Sequence, residues 1–75
     1  MRALSPQEER ALAVLLAPWH SQFDASTPEG AYIDAGCVLL VDRGCAIWRR
    51  RDDGSVDFGP TERGRLAWRV SRIPR

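Results

Sequence analysis

The chain predicts a small single α+β domain over residues 1–75. Three observations predict it. A capped amphipathic run opens the sequence, Asp52-Asp53-Gly54 separates two short runs of strand formers, and Pro60-Thr61-Glu62 marks a helix start near the end. At 75 residues such a chain buries only about 60% of the surface it exposes when unfolded, which argues against a second core or a large cleft. A hydrophobic share of 44%, including three Trp, two Phe and one Tyr, is still enough for one small core.

The first helix starts at Ser5. Its hydroxyl stands at the N-cap, Pro6 at the first helical position and Glu8 at the third, the capping-box arrangement. Leu12, Leu15, Leu16 and Trp19 follow as one apolar stripe, and Pro18 ends the helix near Ala17. Residues 18–30 form a connection in which Ser26-Thr27-Pro28-Glu29 repeats the logic of a helix start.

Residues 31–42 are readable in two ways. Ala31, Ala35, Val38 and Leu39 fit a helical face, whereas Cys37 to Val41 also fits a short buried strand. Gly36 weakens the helix, and Asp42-Arg43-Gly44 is either a helix end or a turn. A helix here leaves a β-hairpin between helices; a strand gives a three-stranded meander and an α-β-β-β-α order.

The hairpin is better marked. The loop Asp52-Asp53-Gly54 sets Arg51 opposite Ser55, Arg50 opposite Val56, Arg49 opposite Asp57 and Trp48 opposite Phe58. The aromatic pair is expected to face the core, with Arg49 and Arg51 exposed near the tip and Arg49 partly neutralised by Asp57. In the last helix Leu66, Val70 and Ile73 recur at helical spacing, and Arg65, Arg69 and Arg72 form a separate basic stripe. That stripe is either a solvated face or a phosphate-facing one. Trp68 lies off the apolar stripe and either covers the core edge or serves as an exposed contact anchor.

Net charge is +1 but unevenly placed. Residues 1–42 carry two Arg and six acids, residues 43–75 nine Arg and four acids. The second half is therefore basic, as in a nucleic-acid face, or the two halves attract each other within one domain. All eleven basic residues are Arg, from codon bias or for bidentate phosphate contacts.

Cys37, Cys45 and His20 are the only soft metal ligands and lack paired spacing, so no metal, cofactor or catalytic role is expected and the chain is not expected to be an enzyme. Both cysteines are expected to be reduced core residues. The longest strongly apolar stretch, Ala11 to Ala17, falls short of the roughly 20 residues of a membrane-spanning helix. Gln7, Glu8 and Glu9 stand where a secretory signal would be apolar, so a cytoplasmic location is expected.

Taken in order, LLVDRG, AIWRRRDDGSVDF and TERGRLAW resemble the C-terminal half of bacterial winged helix-turn-helix regulators. The resemblance runs from Leu39 to Trp68 and matches Arg43-Gly44 to the end of a recognition helix, residues 45–59 to the wing, and Thr61, Gly64 and Arg65 to the opening of the next helix. It implies double-stranded DNA as partner, with Arg49, Arg50 and Arg51 as wing contacts to phosphate or the minor groove. Arg43, Arg65, Arg69 and Arg72 complete the expected contact set. The competing expectation is a protein-interaction or inhibitor module of bacterial or phage type, motivated by size, by the acidic first half and by the absence of a basic residue before Arg43 in the would-be recognition helix.

Overall fold

A computed structural model of the chain describes residues 3–17 and 23–72. Three helices and a two-stranded antiparallel sheet follow one another as α1 (Pro6–Leu16), α2 (Pro28–Asp42), β1 (Ala46–Arg50), β2 (Val56–Pro60) and α3 (Glu62–Ser71). This is the expected α+β domain in its hairpin form. His20, Trp19 and Ile73 lie outside the described residues, as does Pro18.

Each helix is opened by a hydroxyl. The Ser5 Oγ accepts from the Glu8 N–H at 3.1 Å while the Glu8 carboxylate accepts from the Ser5 N–H at 2.9 Å, closing the capping box. Thr27 and Thr61 do the same for α2 and α3, accepting from the Gly30 and Gly64 N–H groups at 3.0 Å each.

Residues 31–42 are helical, so the strand over Cys37 to Val41 and the meander are not formed. Gly36 explains the outcome. A Cβ there would stand 2.7 Å from the Gln7 carbonyl oxygen and 2.8 Å from the Ala11 methyl, so the glycine lets α2 lie directly on α1. That approach buries Ile33, Cys37 and Leu40 against Ala11, Leu12 and Leu15. Each large side chain so covered contributes about 1.5–3 kcal/mol, more than the ~1 kcal/mol that a mid-helix glycine costs. The helix then ends in a Schellman motif: Gly44, at φ 79°, donates to the Val41 carbonyl at 3.0 Å and Cys45 donates to that of Leu40 at 2.8 Å.

The hairpin register is the expected one, with Trp48 opposite Phe58, Arg49 opposite Asp57 and Arg50 opposite Val56. Gly54, at φ 87°, takes the left-handed position of the loop. Trp48 and Phe58 are in ring contact with centroids 4.1 Å apart, but only Phe58 is buried. Trp48 is 55% exposed, which corrects the expectation that both rings face the core. Phe58 fills the space against the helices and leaves Trp48 at its rim.

A glycine also sets which face of α3 turns inward. Gly64 sits so close to the end of the α2–β1 turn that a Cβ would come within 2.1 Å of the Cys45 carbonyl oxygen. The small-residue face of Gly64 and Ala67 therefore turns inward, and Leu66 and Val70 are rotated out to 52% and 54% exposure. Trp68, half-buried against the core, covers its edge. The Thr61 hydroxyl donates to the Gly44 carbonyl at 2.7 Å, fixing the start of α3 to the end of α2. Among the described residues no helix is long and apolar enough to cross a membrane.

Candidate nucleic-acid interface

The seven arginines expected to meet DNA fall into three groups. Arg43 is turned inward: its side chain is 11% exposed and its Nη1 donates to both carboxylate oxygens of Glu8 at 2.9 Å. It joins the start of α1 to the end of α2.

On the hairpin, Asp57 holds two arginines. Arg51 donates to its Oδ2 from Nε at 2.9 Å and stands 2.8 Å away through Nη2. Arg49 lies across Gly59, whose missing side chain leaves room for it, with Nε 3.5 Å from Asp57 Oδ1 and Nη2 donating to the Phe58 carbonyl at 3.1 Å. Asp57 Oδ1 is itself buried without a hydrogen bond, so Arg49 provides its charge compensation. At the loop, the Ser55 hydroxyl and backbone N–H donate to Asp53 Oδ1, and these bonds hold the Asp53 carboxyl below the usual carboxylate range. Asp52, Asp53 and Asp57 balance Arg49, Arg50 and Arg51. Only Arg50, exposed and opposite Val56, makes no ion pair with another described residue.

The third group is on α3. Arg63, Arg65 and Arg69 are exposed and form no ion pair with a described residue, and with Glu62 and Leu66 they line a shallow groove. Arg72 places its guanidinium carbon 4.0 Å from the centre of the Trp68 ring, a cation–π contact. Residues 62–72 thus carry four Arg and one Glu, making this the more strongly positive surface of the two. Arg63 was not among the expected contacts, because spacing by four and three selects Arg65, Arg69 and Arg72 and passes over it.

The helix that the resemblance places in the major groove turns a different chemistry outward. Tyr32, Val38 and Leu39 are 45–47% exposed, and Ala31, Ala35 and Asp42 are exposed beside them. Glu29, at its N-terminal end, is paired with Arg10. A groove of about 450 Å³ between the hairpin and the start of α2 is lined by Phe23, Trp48, Val56 and Phe58, with Asp34 and Arg51 among its polar residues.

The two cysteines are free and buried, as expected. Burial, aided by the nearby Asp34 charge, pushes the Cys37 thiol up to about 12, so it stays protonated at neutral pH. Among the described residues no group of three or more metal-ligating side chains converges. Comparison with protein-family models, curated proteins and solved structures found no match.

Proposed function

We propose that this domain binds double-stranded DNA, without catalysis, as a small winged-helix-like regulator. The observation that carries the reading is the order of elements around Arg43-Gly44: a helix closed by a glycine turn, an arginine-bearing hairpin in the expected register, then a Thr-capped helix. Arg50 supplies the unpaired hairpin charge, Arg49 and Arg51 are held in place by Asp57, and the α3 arginines add to the attractive field. Most of this attraction is to phosphate and independent of sequence. The reading carries with it a cytoplasmic location.

The test is binding to labelled random-sequence duplex across a salt series. Micromolar affinity that falls steeply with salt is expected, and Arg50→Ala should reduce the slope of log K against log salt by about 1. Absence of binding at low salt overturns the reading.

One observation favours a second reading, a module that binds a protein: the outward face of α2 is apolar and carries Asp42, which suits a protein surface better than phosphate. Under that reading a partner survives nuclease treatment in a pull-down from the source lysate, and loss of every partner with the nucleic acid counts against it.

A further inference from the structure

Helix α2 carries apolar side chains on its outward as well as its inward side, with Glu29, Asp34 and Asp42 as its charged residues. Among the described residues of one copy it is covered on one side only. Ile33, Cys37 and Leu40 face the core, while Tyr32, Ala35 and Leu39 line an outward stripe at helical spacing with Val38 beside it. Asp42, exposed and making no ion pair with a described residue, stands at the C-terminal end of that stripe.

Helix α3 presents the complement. Leu66 and Val70 form a second outward apolar stripe with Glu62 at its N-terminal end, bordered on one side by Arg65 and Arg69 and on the other by Arg63, so that three guanidinium groups outweigh one carboxylate. None of these three arginines is paired with a described residue, so α3 offers positive charge around an apolar strip where α2 offers an apolar strip ending in negative charge. Stacking α3 on a second α3 would oppose arginines to arginines. Pairing α2 with α3 covers both strips and sets a carboxylate near guanidinium groups.

We propose that two copies of this chain associate by seating the outward face of α2 of one copy on the outward face of α3 of the other. The contact joins two different patches, so it is heterologous: one copy keeps its α3 face free and the other its α2 face, and further copies can add to either. The proposal does not rest on the DNA reading.

The experiment uses sedimentation equilibrium, without nucleic acid, on the full chain and two variants. Leu39→Asp blocks the α2 face and Leu66→Glu blocks the α3 face; both positions are about half exposed. Circular dichroism and a melting curve establish that each variant keeps the fold. The full chain should show an average mass that rises with concentration above the 8.4 kDa monomer. Each variant alone should be monomeric, and an equimolar mixture should regain association as a one-to-one pair, since one variant retains α3 and the other α2. A full chain that stays monomeric at every concentration overturns the proposal. So does association that neither substitution weakens, association that one variant keeps on its own, which would point to contact between like faces, or a mixture of the two monomeric variants that stays monomeric.

Discussion

Arg43 and Glu8, 35 residues apart in sequence, form an ion pair in which one guanidinium nitrogen, Nη1, donates to both carboxylate oxygens at 2.9 Å. The same carboxylate caps α1 through the Ser5 N–H, so a single acidic side chain serves the start of α1 and the end of α2 at once. Glu8 is 5% exposed, and at that burial neither charge is cheaply left alone.

Arg43→Met should therefore destabilise the fold by about 3 kcal/mol, because it leaves the Glu8 carboxylate buried without its cation. Urea unfolding measures this. The salt slope of DNA binding, taken where both proteins are folded, should not change; a slope reduced by about 1 would return Arg43 to the phosphate contacts.

Burial raises the Glu8 carboxyl, but the Ser5 N–H, the Arg43 guanidinium and the Ser5 hydroxyl outweigh it, leaving the group below its ordinary value of 4.5. A carboxyl lowered on folding contributes stability that is fully present above the unfolded value and is lost as pH falls through the folded one. Stability should thus fall with acid below about pH 4.5. Asp24 and Asp53, held down by bonds from Ser26 and Ser55, add to the same trend. In Glu8→Gln the acid loss should be shallower than in the parent, on a lower neutral-pH baseline. An identical acid profile in the two proteins would remove Glu8 from the explanation.

Gly64→Ala tests the packing of α3. Alanine gains ~1 kcal/mol in helix propensity over glycine, yet its methyl would meet the Cys45 carbonyl oxygen at 2.1 Å. The clash should win, with a net loss of about 2 kcal/mol and a lower melting temperature. A more stable variant would mean that α3 moves away from the α2–β1 turn without penalty.

Asp57→Asn should strengthen DNA binding at low salt. It removes the charge that holds Arg49 and Arg51, and the salt slope should steepen by about 1 to 2 if both then reach phosphate. An unchanged slope would place the hairpin outside the DNA contact.

Much of this architecture is written locally. The capping residues Ser5, Thr27 and Thr61 and the glycine of the hairpin loop act within four residues, and from them the helix starts and the strand register can be read directly. Residues 31–42 are readable in two ways because apolar side chains stand on both sides of α2 and the run Cys37 to Val41 is continuous, and Gly36 reads as a breaker until its nearness to Gln7 and Ala11 is known. Leu66 and Val70 show the helical spacing of α3, but the backbone approach at Gly64, which no local pattern announces, chooses the inward face. Arg43 is the sharpest case at the candidate site. Its Arg-Gly context suggests a contact residue, while its partner Glu8 lies in another helix and is locally explained by its capping box.

The guanidinium that Arg49 lays over Gly59 has a bearing on how this protein behaves when crowded. In the antiparallel pair, Phe58 and Pro60 occupy positions whose backbone polar groups point away from β1. The Phe58 carbonyl is already taken by Arg49, and Pro60 has no N–H to give. The outer rim of β2 thus lacks two of the groups that a foreign strand would need to extend the sheet, which disfavours edge-to-edge addition, the usual first step toward fibrous aggregates, on that side.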